Sequence, residues 1–116
     1  MQIAQSQQAQ WEEYRIISKE IDGTFYRLAV ADTSEKQTKG LMYVRKPTSI
    51  DGMIFPNSTP SIVTFWNKNT RVDLTLVWMR DEVVVGKSEL PSIEKSKKIV
   101  TVTSPEAVDA VVELIK

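Results

Sequence analysis

The sequence has no histidine and no cysteine, and only four glycines and five prolines among its 116 residues. Each absence removes a kind of chemistry. Without cysteine there is no disulfide, no thiolate nucleophile, and no zinc-knuckle or iron–sulfur ligand set. Without histidine there is no Ser-His-Asp triad, no imidazole base, and no ordinary zinc or copper site. From glycines at 23, 40, 52 and 86 neither GxGxxG nor GxxxxGK can be written. No carboxylates sit at EF-hand spacing. No metal and no cofactor is therefore expected. Fifteen Lys+Arg balance fifteen Asp+Glu, so net charge gives no reason to expect nucleic acid as a partner. No apolar run approaches the roughly 20 residues that span a bilayer, and no signal-peptide hydrophobic region is present. The given chain is expected to stay out of the membrane and to be a monomer.

What remains is enough for one small domain. Domains most often run to about 100–150 residues, and 41% hydrophobic residues can bury a real core. Residues 1–10, Met-Gln-Ile-Ala-Gln-Ser-Gln-Gln-Ala-Gln, are uncharged, Gln-rich and low in complexity. Such a stretch cannot pack a core and reads as a flexible leader. Two origins are open for it: a loose native terminus, or the remnant left after removal of an upstream signal or anchor. Residues 11–116 read as a single domain.

The pattern along 11–116 is mainly that of short strands. Thr24 to Val30 alternates with period two, behind an Asp22-Gly23 turn and an earlier strand near Tyr14–Lys19. From Asp32 to Gly40 the character changes. Asp32, Thr33 or Ser34 can cap a helix, Asp32 and Glu35 have capping-box spacing, and Gly40 can supply the left-handed residue at its end. A short helix is expected over about 34–40. Gly52 reads as a turn residue, Met53–Phe55 as a short buried strand, and Pro56–Pro60 as a loop. Strands are expected at Ser61–Trp66, Val72–Met79, Val83–Val85 and Ile99–Thr103, with a loop over Gly86–Lys98. Ser104 to Lys116 fits a capped helix with Val108, Val111, Val112 and Ile115 on one face. It also fits a strand, and propensity slightly favours the helix.

Two local features invite a functional reading. Lys36, Lys39, Arg45 and Lys46 are four positive charges with no acid among them; a solvated helix face and turn explains them more simply than an anion patch. Phe65-Trp66-Asn67-Lys68-Asn69-Thr70 puts two aromatics beside amides, an amine and a hydroxyl at a strand end. Those groups suit a carbohydrate or other small polar ligand. They equally suit a turn whose side chains bond nearby backbone, which composition alone favours.

Three blocks together carry a family resemblance. Val30-Ala-Asp-Thr-Ser-Glu-Lys-Gln-Thr-Lys-Gly-Leu-Met42 resembles the "VADT…ER…GLM" block of the DUF192 family of uncharacterised bacterial and archaeal proteins. Asp51-Gly-Met-Ile-Phe55 resembles its "GMLF" block, and Phe65–Thr70 its "FWMKNT" block. Ser104-Pro-Glu-Ala…Val-Val-Glu-Leu114 is similar to the family's closing "SP…VLEL" strand. The resemblance implies a mainly β (α+β) fold: a compact barrel-like β domain with one or two short helices. It also implies that the C-terminal segment is a strand. Family members often carry an N-terminal signal or anchor, so the resemblance implies an extracytoplasmic or membrane-anchored setting for the full-length protein. This sequence departs from the family pattern in having Asn67 in place of the motif Met, and Asp73-Leu74-Thr75 where "PLD" is usual, so Thr75 replaces an acid. Arg71 and Asp73 are also atypical.

The expected function is a non-enzymatic binding or accessory domain. Its candidate surface lies where the 32–42 helix, the Gly52–Phe55 segment and the 65–70 turn meet. Asp32, Trp66, Lys68, Asn69 and Thr70 are the candidate ligand-binding residues, with Gly40, Gly52, Met53 and Phe65 as structural motif positions. No catalytic residue is assigned. The expected partner is a small polar ligand or glycan, such as an envelope polymer. The alternatives are a hydrolase-type enzyme using carboxylate or lysine chemistry, with Asp32, Asp51, Asp73 and Lys68 as its material, and a protein-interaction module using a strand edge or the basic 36–46 segment.

Overall fold

Asp22 and Gly23, both at positive φ (51° and 85°), fold the first two strands back on each other. This is the backbone twist that a two-residue hairpin turn requires. The computed structural model describes residues 10–116; the expected leader over 1–10 therefore lies, but for Gln10, outside the described residues. Strand β1 (Ile16–Ile21) pairs antiparallel with β2 (Thr24–Val30). Asp81 and Glu82, at φ 51° and 66°, make the equivalent turn between β5 (Leu74–Arg80) and β6 (Val83–Leu90).

Strand β2 runs parallel to β3 (Gly52–Ser61), so the chain between them must cross over. That crossover carries helix α1 (Ser34–Lys39). Thr33, not Asp32, is its cap: Thr33 Oγ1 accepts from the Lys36 amide at 3.1 Å. Asp32 instead forms an i,i+4 ion pair with Lys36 at 3.5 Å. Gly40, at φ 50°, ends the helix, and its amide donates to the Lys36 carbonyl.

The main sheet has the order β1-β2-β3-β8-β5-β6, with β8 (Val108–Ile115) central between β3 and β5. The C-terminal segment is thus a strand, as the resemblance implied and against its helical propensity. Pairing on both sides satisfies a whole strand of backbone, and that outweighs a propensity difference of roughly tenths of a kcal/mol per residue. Ser104 does not cap a helix; its Oγ accepts from the Val63 amide at 3.0 Å. A second sheet joins β4 (Thr64–Trp66) to β7 (Thr101–Thr103). The last helix, α2 (Ile93–Ser96), is capped by Ser92 Oγ accepting from the Lys95 amide.

The domain is mainly β with two short helices, but the sheet does not close into a barrel. Strands β1 and β6 remain edges. The two edges approach through side chains rather than backbone: Lys19 of β1 bonds Glu82 at 2.8 Å, and Lys87 of β6 bonds Asp22 at 2.8 Å. Ion pairs of long side chains span a gap that a hydrogen-bonded ladder, with strands about 4.8 Å apart, cannot. Other expectations also shift. Residues 56–60 are not a loop but part of β3; Pro56 sits opposite Ala110, and the register then slips before Ser61 meets Val108. Prolines have no amide to donate, so the irregularity falls where they are. The expected loop over 86–98 contains the end of β6 and all of α2, and the expected 61–66 strand shortens to β4.

The sheet is buried on both faces. Ala29, Met53, Phe55, Leu74, Leu76, Trp78 and Val111 pack on one side with Trp11, Leu41, Val44 and Ile50 from the flanking loops. Leu28, Val30, Ile54, Val77, Met79 and Val112 pack on the other. The indole N–H of buried Trp78 donates to Ser88 Oγ at 2.9 Å, so the ring enters the core without leaving a polar atom unpaired.

Gly52 is not a turn residue. It begins β3 and sits between Leu28 of β2 and Leu114 of β8. A Cβ at this position would lie 2.0 Å from the Glu113 carbonyl oxygen. Glycine here is a matter of space: only a residue without a side chain lets β8 approach β3. Gly52→Ala is expected to lower stability by more than about 2 kcal/mol, since the β8 backbone at Glu113 and Leu114 must move away. Urea denaturation would show this as a lower midpoint at unchanged slope.

Candidate functional site

A cavity of about 450 Å³ opens between α1 with its following loop, β3, β4 with its following turn, and β8. Its apolar wall is Phe55, Phe65 and Trp66, with Val63 and Val111. Phe65 is the hinge of this wall. Its ring packs edge-on against Phe55 at 5.0 Å and against Trp78 at 5.9 Å. Since Trp78 is fully buried, this stack ties the cavity wall to the core. Trp66 remains 47% exposed at the mouth, with the Lys68 ammonium 5.2 Å from its ring centre. The polar lining comes from Ser34, Gln37, Thr38, Asn57, Thr64 and Thr70.

One acid lines the cavity, Glu113. It lies on the central strand, across from Met53 of β3 and Leu76 of β5, both fully buried. Val111 and Ile115, two residues either side of it, belong to the apolar core. Glu113 is only 4% exposed, yet its carboxyl makes no hydrogen bond or ion pair with any described residue. The carboxyl oxygens are not sealed in; they open on the cavity. Burial pushes the Glu113 carboxyl up to about 8, because the charged form is poorly solvated there. That shift favours the neutral acid around neutral pH, a form able to donate a hydrogen bond as well as accept one. Gly40 keeps it uncovered: a Cβ there would lie 3.8 Å from Glu113 Oε1 and 3.5 Å from the Phe55 ring.

Of the residues singled out in the sequence, Gly40, Phe65, Trp66, Lys68 and Thr70 line this cavity; Asp32, Gly52, Met53 and Asn69 do not. Met53 is a core residue. Asn69 adopts a left-handed φ of 55°, which Asn tolerates better than most residues, and its carbonyl accepts from the Tyr43 amide at 2.9 Å. Thr70 Oγ1 donates to the Lys68 carbonyl at 3.2 Å, and the Thr70 carbonyl accepts from the Ile93 amide at 2.8 Å. The 67–70 turn is thus held by its own polar groups and by α2.

Asn67, which replaces the family's Met, is fully buried and fully bonded. Its amide nitrogen donates to the Pro91 carbonyl and to Ser96 Oγ, each at 2.9 Å, and its oxygen accepts from the Val100 amide at 2.8 Å. It fastens the end of β4 to both flanks of α2.

The acids weighed for catalysis are spent elsewhere. Asp51 accepts from the Arg27 amide and Asp73 from the Ser92 amide, each at 2.8 Å. That backbone bond is the main reason the Asp73 carboxyl is held below its usual range. Thr75, at the family's acidic position, contacts Glu89 and does not line the cavity. The basic segment is largely engaged: Lys36 bonds the Glu13 carbonyl and covers the Tyr14 ring, Arg45 pairs with Glu94 at 2.9 Å, and Lys46 bonds the Lys116 carbonyl. Among the described residues, no cluster of three acids could hold a metal ion, and no helix is long and apolar enough to cross a membrane.

Glu113 was not among the sequence candidates. On a helix it would sit away from the Val108–Ile115 stripe. On a strand buried on one face it would point outward, opposite Val112 and Leu114. The one signal was its place inside the "VVEL" block.

Known proteins resemble the chain in sequence family and in fold. The family model of DUF192, described as an uncharacterised ACR family, matches residues 17–116. No curated protein is significantly similar to the chain. A crystal structure of a protein of unknown function from Novosphingobium aromaticivorans shares 22% identity at a TM-score of 0.65, covering 90% of this chain and 83% of that one. Another, described as a proposed transcription regulator from Sinorhizobium meliloti, shares 26% identity at a TM-score of 0.66, covering 88% and 81%. The first likeness shows the fold alone.

The buried acid and the bonded turn each have a measurable consequence. The Glu113 carboxyl titrates higher when folded than its ordinary 4.5. The ionisation penalty of its burial is therefore absent below pH 4.5, and stability falls as pH rises from there through about 8. Glu113→Gln is expected to remove this slope and to raise the melting temperature above that of the parent near pH 8. The gain is on the order of a few kcal/mol, less whatever water in the cavity recovers. Melting curves at pH 5 and pH 8 check it. Asn67→Ala leaves the Val100 amide and the Pro91 carbonyl without their partner and is expected to cost about 2–4 kcal/mol by chemical denaturation.

Proposed function

The chain belongs to the DUF192 family, and on that premise we propose that it is a binding or accessory domain whose cavity takes a small polar ligand with an apolar face, of the kind presented by a sugar unit of a glycan or envelope polymer. One observation carries this reading: a buried carboxyl with no protein partner faces a cavity walled by Phe55, Phe65 and Trp66. A folded protein seldom leaves a buried polar group unanswered unless water or a ligand answers it. The cavity volume of about 450 Å³ falls within the roughly 300–1,000 Å³ typical of small-molecule sites. The Gln37 amide nitrogen already donates to the Ala31 and Pro56 carbonyls, and Thr64 Oγ1 bonds Thr103 Oγ1. The rim supplies the Asn57 amide, the Gln37 amide oxygen and the hydroxyls of Ser34 and Thr38. These groups fix orientation, and the rings supply contact area.

A second reading has its own support. A hydrolase-type activity needs an acid and Lys68, or two acids, in one cleft, and Glu113 and Lys68 do line the same cavity. Glu113 is a proton donor poised near neutral pH, which the alphabet without histidine otherwise lacks. No second carboxylate lines the cavity, so the two-carboxylate arrangement of most glycosidases is not assembled.

A glycan array, with the hits carried into NMR titration, tests the binding reading. Binding is expected to shift the amide signals of residues 38–42 and 64–68. Trp66→Ala should weaken it at least about tenfold, or roughly 1.4 kcal/mol. Binding that Trp66→Ala leaves unchanged would place the ligand elsewhere. Turnover of a chromogenic glycoside that Glu113→Gln abolishes would move the assignment to the second reading.

A further inference from the structure

The ionisable groups of the cavity are sorted by burial, the acid buried and the lysines exposed. The inner end of the cavity holds the Glu113 carboxyl, enclosed by the aliphatic neighbours Met53 and Leu76 and by the rim of Phe55. Its outer part holds two cations. Lys68 is exposed, and its ammonium is drawn toward the Trp66 ring at 5.2 Å. Lys39 is exposed in the last turn of α1. No other charged side chain among the described residues lines the cavity: α1 and its following loop contribute Lys39, the turn after β4 contributes Lys68, β8 contributes Glu113, and β3 contributes none. Neither lysine bonds Glu113, so the acid and the cations are separated across the space a ligand would fill.

From this arrangement we infer that the ligand is a small zwitterion, with an ammonium or comparable donor seated on Glu113 and an anionic group held by Lys68 and Lys39 at the mouth. The inference rests on the binding reading above and names its ligand class. The chemistry is complementary at both ends. A carboxyl with no protein donor lacks a positive partner, and it shares its cavity with the aromatic rings of Phe55 and Phe65. At the mouth, cation–π contact with Trp66 restrains a flexible lysine, which lowers the entropic cost of ordering it on an anion. A neutral sugar uses the rings and the rim polar groups but leaves the buried acid and the two lysines without ionic partners. Amino acids and amino-sugar acids share the required pair of groups.

Binding of an ammonium must displace the proton from Glu113, since the ion pair forms with the carboxylate. This gives the proposal a signature that shape alone would not. Calorimetry near neutral pH, in two buffers of different ionisation enthalpy, would use ω-amino acids from glycine to 6-aminohexanoate, muramic acid, butylamine, butyrate and N-acetylglucosamine. At least one zwitterion is expected to bind about tenfold or more tighter than the amine or the carboxylate alone. Its binding should release close to one proton. Glu113→Gln should abolish the proton release and weaken binding at least about tenfold, and Lys68→Met should weaken binding while leaving the release intact. Preference for an amino acid over muramic acid, or the reverse, separates the two sources of the zwitterion. If N-acetylglucosamine binds as tightly as every zwitterion and releases no proton, this inference falls and the sugar-binding reading stands. Failure of every zwitterion to bind overturns it as well.

Discussion

The close approach of β3 to β8 at Gly52 is the contact on which the other features depend. A side-chain carbon there would sit 2.0 Å from the Glu113 carbonyl oxygen, so the two strands can be neighbours only because one residue has no side chain. That pairing makes β8 central, places β5 on its other side, and so joins the N-terminal strands to the C-terminal hairpin in one sheet. It also positions Glu113. The backbone atom that needs Gly52 belongs to the residue whose side chain faces the cavity. Fold and candidate site are therefore joined at a single position in the sheet.

Placing an acid in that strand has a cost that the surrounding structure does not offset. Glu113 takes the place of an apolar side chain between Val111 and Ile115, with no cation and no hydrogen bond to answer it. Elsewhere the protein satisfies its buried polar groups: Asn67 through three partners, Trp78 through Ser88, Ser92 through the start of α2. The contrast is within one molecule. The chain answers these groups and leaves one carboxyl open to a cavity, and the proposed binding site rests on that contrast.

The blocks shared with the family divide into structural and cavity-facing parts. Thr33 and Gly40 bound α1, and Gly40 also keeps the carboxyl uncovered. Phe65 ties the cavity wall to Trp78, while Asn67, Asn69 and Thr70 hold the turn that presents Lys68. Asn67 shows how a departure from the family pattern can be absorbed. A buried amide replaces a thioether, and Pro91, Ser96 and Val100 supply the partners that an amide requires.

Much of this was legible in the sequence. Period-two alternation marked β2, and short apolar stretches marked β5 and the start of β6. Asp22-Gly23 marked the first hairpin turn, and Thr33 to Gly40 contained its own helix start and stop. The aromatic and amide cluster at 65–70 was visible as a candidate surface. These signals are local: they depend on residues within a few positions of one another. Only tertiary structure decided the rest. The segment 104–116 satisfied helix and strand rules alike, and hydrogen bonds to β3 and β5, far away in the chain, settled it as a strand. Whether the sheet closed depended on how its two edges met, and they met through Lys19–Glu82 and Lys87–Asp22 rather than through backbone. Glu113 could not be read as buried, because burial on both faces of a strand is a property of the layers packed against it. The sequence alone determined which residues could form strands, turns and a short helix. The packing of those elements decided which acid lost its solvent, since desolvation comes from distant neighbours and leaves no local pattern.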